Sequence, residues 1–296
     1  MTVPAELADA VGRAAGAAVT GGRRVSGGSI NEAWALELDG GGRAFVKTRK
    51  DAPTAEYETE AAGLGWLAEP GAVRVPGVLG VGDGDTPFLA LEWIEEGRLD
   101  AAGEEELGRG LAALHGAGAP EFGAPPGSGP LRIGPLVLPN DPASGWPAFY
   151  AERRLRPLLA PAADAGALST AGVRAVERVC DRIEELAGPP EPPARLHGDL
   201  WSGNVLGGAD GQPWLVDPAA YGGHREVDLA MLRLFGDPGP RVLGAYAEAA
   251  PLAEGHEDRL ALWELFPLLV HTVLFGGSYG AAAERAALRA LTPARR

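Results

Sequence analysis

The 296-residue chain has one cysteine, no apolar run of membrane-spanning length and no surplus of basic residues. The lone thiol, Cys180, excludes an intramolecular disulfide and any cysteine-based zinc site, and it suits a reducing compartment. The N-terminus, MTVPAELADAVGRAAG, reads as a charged helix rather than a secretory signal. With no hydrophobic run long enough to cross a bilayer, the expectation is a cytoplasmic protein without a membrane partner. Lysine and arginine total 26 against 40 acids, a formal charge of −14. Such a surface cannot displace the counterions of a nucleic acid in the usual way, so no nucleic-acid partner is expected. A phosphorylated ligand stays possible, because a pocket can be locally positive or recruit a metal. The 44 glycines and 26 prolines collect in short connectors and form no repeat, which excludes collagen-like and low-complexity chains.

What remains is an ordinary globular composition, 46% hydrophobic and 22% charged, in a chain longer than one compact unit. Residues 4–19 have an amphipathic helical pattern. In RRVSGGSINEAWALELDGGGRAFVKT, Trp34, Leu36 and Leu38 alternate with other residues, DGGG supplies a turn, and Ala44 to Lys47 return as a strand. Tyr57, Ala61, Leu64 and Leu67 recur at helical spacing over 54–68, with Thr54 as a candidate N-cap. Strands are expected at 77–83 and 88–94. Helices then dominate, at 104–116, 146–160, 170–187, 226–235, 240–250, 257–275 and 281–291, with one short strand at 213–217. Strands plus one helix, followed by helices, predict a two-lobed α+β protein. Its N-terminal lobe is 1–94, its C-terminal lobe 95–296, and the cleft between them is the natural ligand site.

Several motifs fall in a telling order. A glycine-bearing turn, SGGSINEA, precedes a strand lysine, Lys47, and a helix glutamate, Glu60. HGDLWSGN at 197–204 follows, and then LVDP, ending in Asp217 and Pro218. Singly each has a bland reading: a turn, a solvated lysine, a structural ion pair, a capping loop with a buried histidine. Together they supply what transfer of a phosphoryl group to a hydroxyl needs. Asp199 can orient the hydroxyl, and Asn204, five residues on, can offer an oxygen to a metal. Asp217 adds a second carboxylate for that metal, and Mg2+ takes such hard oxygen ligands.

These motifs resemble the fructosamine kinase (ketosamine-3-kinase) family, within the aminoglycoside- and choline-kinase-like branch of the protein-kinase-like fold. HGDLWSGN, VDPAAYGGHREVDLAML, GGSINEAW and WPAFYAERRLRP carry the likeness, which runs from about residue 20 to residue 280. The resemblance implies a small antiparallel-sheet lobe with one main helix and a larger, mostly helical lobe, with ATP and Mg2+ between them. It implies that Gly27, Gly28 and Ser29 cover the phosphates through backbone N–H groups. Lys47, positioned by Glu60, would meet the α- and β-phosphates. The backbones of Glu92 and Ile94 would meet adenine, Asp199 would be the catalytic base or hydroxyl-orienting group, and Asn204 and Asp217 would be metal ligands. His197 reads as an orienter of the loop or a proton shuttle, and Asp228 as a structural tie between its helix and that loop. Trp201 and His271 are candidates for substrate contact or for core packing.

The implied substrate is a ketosamine, a small molecule or a protein adduct, phosphorylated on a sugar 3-hydroxyl so that the adduct breaks down and deglycation follows. Two other readings compete: a kinase for another hydroxylated amine, such as an aminoglycoside or choline, and a non-catalytic nucleotide-binding pseudokinase. The joint presence of Lys47, Asp199, Asn204 and Asp217 argues against the last. Some family features are missing. Ser29 stands where many relatives carry a loop cysteine, so a redox switch of that type is not expected. Val270 and Val273 replace frequent asparagines, and LRIGPLVLPN lacks the usual polar Asp-Asn and Gln, which implies a less polar acceptor pocket.

Overall fold

The structure is a computed structural model that describes residues 3–25, 31–82, 86–125, 129–236 and 238–292. Helix α1 (Ala5–Ala15) ends where Gly16 turns left-handed at φ 69°, a conformation that glycine adopts without steric cost. The helix expected over 4–19 therefore stops short, and Val19 opens a strand instead. Strands β1 (Val19–Val25), β2 (Glu32–Leu38), β3 (Arg43–Thr48), β4 (Val78–Gly82) and β5 (Phe88–Glu92) form an antiparallel sheet in the order β1-β2-β3-β5-β4. Period-two alternation sorts its faces. Trp34, Leu36, Ala44 and Val46 bury against Leu7 and Val11 of α1, whereas Ala33, Phe45 and Lys47 face a cavity.

Helix α2 (Thr54–Ala68) packs Tyr57 and Leu64 on Leu89 and Leu91 of the sheet. Thr54 is its first helical residue, not its cap. Pro53 takes the N-cap position without a capping side chain, so the buried face of α2 holds it in place.

Beyond β5 lie β6 (Glu96–Gly97) and α3 (Ala101–Gly116), which starts before residue 104 because the Asp100 carboxylate caps it, accepting from the Gly103 N–H at 2.8 Å. A short hairpin, β7 (Leu131–Ile133) and β8 (Leu136–Leu138), follows. The helix expected over 146–160 is three pieces: α4 (Trp146–Phe149), a π-helical turn (Tyr150–Leu155) and α5 (Arg156–Asp164). The 170–187 pattern breaks at Arg182 into α6 (Thr170–Asp181) and α7 (Ile183–Leu186).

Strands β9 (Ala194–Leu196) and β12 (Tyr221–Gly223) pair, and between them sits the hairpin of β10 (Val205–Gly208) and β11 (Pro213–Leu215). Helices α8 (Glu226–Leu234), α9 (Pro240–Ala249) and α12 (Tyr279–Ala290) lie where expected. The 257–275 pattern breaks at Glu264 into α10 (His256–Trp263) and α11 (Leu265–Phe275). Tyr150, Leu155, Leu158, Tyr221, Trp263 and Phe266 belong to the main core of this helical lobe. The result is a two-lobed α+β protein-kinase-like fold. Among the described residues, no helix is long and apolar enough to cross a membrane.

Candidate active site

A cavity of about 260 Å³ lies between the lobes. Lys47, Glu60, Asp199, Trp201, Asn204, Asp217, His271 and Arg132 all line it. Strand alternation aims Lys47 at this space, and its ammonium meets Glu60 Oε1 of α2 at 2.7 Å and Asp217 Oδ1 at 2.6 Å. Burial alone would lower the Lys47 pKa, but the two carboxylates outweigh it and hold the ammonium above its ordinary value. Of the other acids on that helix, Glu56 bonds Arg49 at 2.6 Å and Glu58 is exposed.

Asn204 and Asp217 come together because they sit at the open end of one hairpin. Val205 pairs with Leu215, and the Val216 N–H extends the ladder to the Asn204 carbonyl at 3.0 Å. The Asn204 amide nitrogen donates to the Asp199 backbone carbonyl at 2.8 Å and to Asp199 Oδ2 at 3.0 Å. Its amide oxygen is thereby left for another partner. Lys47 takes only Asp217 Oδ1, and Asp217 itself adopts φ 56°, a left-handed conformation uncommon outside glycine and enriched at functional sites. This donor set, an amide oxygen and a carboxylate oxygen, matches what a hard divalent cation takes.

The loop carrying Asp199 is tied at two points. Asp228 of α8 is buried and accepts from the backbone N–H groups of His197 at 2.7 Å and Gly198 at 2.9 Å. The His197 ring is enclosed: Nε2 donates to the Val216 carbonyl at 3.0 Å, and Nδ1 accepts from the Asp199 N–H at 3.3 Å. Since a carbonyl can only accept, the two bonds fix one neutral tautomer, and burial lowers the ring's pKa. That geometry is an orienter's, linking the Asp199 loop to the residue before Asp217. Gly198, at φ 81°, lies so close to the Ala219 carbonyl that an added Cβ would stand 1.9 Å from its oxygen. Burial, and then the charge of Asp217, push Asp199 up to about 7, against the pull of the Asn204 hydrogen bond.

Trp201 is 39% exposed on the cavity wall and belongs to no core cluster among the described residues. His271 of α11 donates from Nδ1 to the Pro267 carbonyl at 2.8 Å and lies among Phe235, Phe275 and Tyr279. Burial lowers its pKa, which leaves the ring neutral near pH 7. Glu92 and Ile94 do not line this cavity. The Glu92 N–H bonds the Gly77 carbonyl at 2.7 Å, and its carboxylate accepts from the Gly77 N–H at 3.0 Å. Any adenine contact at residue 92 therefore falls to the carbonyl. Gly27, Gly28 and Ser29 lie outside the described residues.

The fructosamine kinase family profile matches residues 3–292. The chain belongs to that family. It is accordingly a phosphotransferase. A crystal structure from Thermobifida fusca YX-ER1, named a candidate fructosamine-3-kinase, is 45% identical and superposes with a TM-score of 0.89 over 96% of this chain and 98% of its own. Two relatives named as probable ketoamine kinases span nearly the same length. The one from Thermus thermophilus is 40% identical over 88% of this chain and 90% of its own, and the one from Synechocystis is 37% identical over 89% and 88%.

Sequence reasoning missed two residues of this fructosamine kinase family site. His115 of α3 is buried, with Nε2 3.2 Å from Asp228 Oδ2 and Nδ1 2.8 Å from the Tyr246 hydroxyl. It thus supports the carboxylate that holds the Asp199 loop. Its only sequence signal is a polar residue on the apolar face of an otherwise Leu- and Ala-rich helix. Arg132 lines the cavity from β7, and nothing in a three-residue strand announces it.

Proposed function

We propose that the chain transfers the γ-phosphoryl group of ATP to the sugar 3-hydroxyl of a ketosamine. The proposed nucleotide lobe is 1–94 and the acceptor lobe 95–296. The observation that carries this reading is the meeting of Lys47, Glu60, Asp199, Asn204 and Asp217 on one cavity wall. Lys47 would meet the α- and β-phosphates while Glu60 holds it. Gly27, Gly28 and Ser29 would cover the phosphates, and the Glu92 carbonyl and the Ile94 backbone would meet adenine. Asn204 and Asp217 would hold Mg2+, which supplies positive charge where phosphate oxygens gather.

In the reaction the hydroxyl oxygen forms a bond to the γ-phosphorus, the bond from that phosphorus to the bridging oxygen breaks, and ADP leaves with the bond's electrons. The hydroxyl proton passes to the Asp199 carboxylate. In a loose transition state little proton abstraction is needed, so alignment of the hydroxyl is the larger part of what Asp199 contributes. Trp201 and His271 would face the acceptor. The setting proposed is the cytoplasm, with free or protein-bound ketosamines as acceptors and deglycation as the outcome.

An ATP-consumption assay against ribulose-, erythrulose- and fructose-lysine, run beside Asp199→Asn, tests the reading. Turnover by the wild type and a fall of about a thousandfold in the variant are expected. Turnover confined to aminoglycosides or choline would overturn the acceptor assignment, and equal activity in the variant would overturn the mechanism.

A further inference from the structure

Among the described residues, the cavity holds a cation with nothing bonded to it. Of the side chains lining the space, Lys47 and Arg132 carry positive charge. The Lys47 ammonium is shared by Glu60 and Asp217. Arg132, half-buried, makes no hydrogen bond, ion pair or ring contact among the described residues. Strand β7 runs beside α2, yet the acids of that helix that reach the cavity are already held, Glu56 by Arg49 and Glu60 by Lys47. A guanidinium keeps its charge at any working pH, so this one brings a fixed positive charge and a planar set of donors to the wall.

It is also rigidly presented. Leu131 and Leu138, paired across the hairpin, are buried in the main core. The fully buried Arg154 guanidinium anchors the outgoing chain, donating to the Pro139 carbonyl at 2.8 Å and to Asn140 Oδ1 at 2.6 Å. The same cavity also carries apolar side chains, among them Ile133, Val270, Leu274, Phe275 and Trp201. One unpartnered guanidinium in a cavity that also carries apolar side chains suits a ligand with a single oxyanion beside a hydrocarbon portion.

We propose that Arg132 selects acceptors bearing a carboxylate, so that the preferred substrates are ketosamines of free amino acids. This rests on the ketosamine reading and adds the class of amine. A protein-bound lysine adduct has no carboxylate next to the modified residue, and a simple alkylamine adduct has none at all. The apolar lining would meet the amino-acid side chain, and the guanidinium would donate to the carboxylate.

The test compares the ribulose adducts of valine and of isobutylamine, which differ by the carboxylate alone, with wild type, Arg132→Met and Arg132→Lys. Wild type should prefer the valine adduct by about tenfold in kcat/KM, expressed in KM, the factor that one charge-assisted hydrogen bond corresponds to. Arg132→Met should bring that ratio close to one, and Arg132→Lys should retain part of it. An equal preference in wild type and Arg132→Met overturns the inference. So does a rise in the KM for ATP that matches the loss, which would put the guanidinium on the nucleotide. If both adducts are phosphorylated equally by the wild type, the inference fails while the ketosamine reading stands. If neither is phosphorylated while ribulose-lysine is, the inference alone fails; if ribulose-lysine is not phosphorylated either, both fail.

Discussion

Replacing Asp199 by asparagine should remove activity and raise stability together. The carboxylate titrates at about 7 in the folded protein against 3.8 ordinarily, because burial and the neighbouring Asp217 oppose its ionisation. Between those values the native chain holds a proton that the unfolded chain has lost, so stability falls as pH rises through that window, and the full cost is in place above pH 7. The gap corresponds to about 4 kcal/mol at most. Part of the side chain is open to water in the cavity, and screening reduces this to about 2 kcal/mol. Asparagine keeps an oxygen for the Asn204 amide and cannot ionise. In thermal denaturation without nucleotide, Asp199→Asn should melt about 3–5 °C above the wild type at pH 8.5. At pH 5 roughly a third of that gain should remain, because most of the cost has yet to appear. No gain at pH 8.5, or the same gain at both pH values, would refute the electrostatic account of the site.

Other consequences are as direct. Lys47→Met leaves Glu60 and Asp217 without their ammonium, and chemical denaturation at pH 8 should show a loss of about 3 kcal/mol alongside loss of turnover. His115→Phe removes the bonds to Asp228 and Tyr246. It should lower kcat far more than the KM for ATP and cost about 1–3 kcal/mol, with His115→Gln recovering part of kcat, as steady-state kinetics would reveal. Cys180 is buried and its thiol is pushed up to about 12, so the native protein should resist iodoacetamide at pH 8 and react once unfolded, as read by mass spectrometry.

The parts of the site that could be read from sequence are those carried on short stretches with fixed spacing. Asp199 and Asn204 share one loop, and Lys47 lies in a strand whose alternation fixes its direction. Asp217 reaches the same cavity because β10 and β11 form a hairpin, a pairing no local pattern displays. The helix breaks at Arg182 and Glu264 escaped notice because apolar spacing continues across both, through Val179 and Ile183 and through Leu262 and Leu265. Strands β7, β9 and β12 have three residues each, too few for an alternation to stand out. His115 and Arg132 depend on tertiary placement: one is a histidine whose partner is 113 residues away, the other an arginine without a partner among the described residues. Thr54 had the composition of a cap, but the helix begins one residue sooner than that role requires.

Phosphorus NMR of ribulose-lysine incubated with ATP, Mg2+ and the protein tests phosphoryl transfer in this cleft most directly. A phosphomonoester coupled to the proton on sugar carbon 3 should grow in step with ADP, and should form about a thousandfold more slowly with Asp199→Asn. ATP converted to ADP and inorganic phosphate with no sugar ester, or the same ester formed at the same rate by the variant, would contradict it.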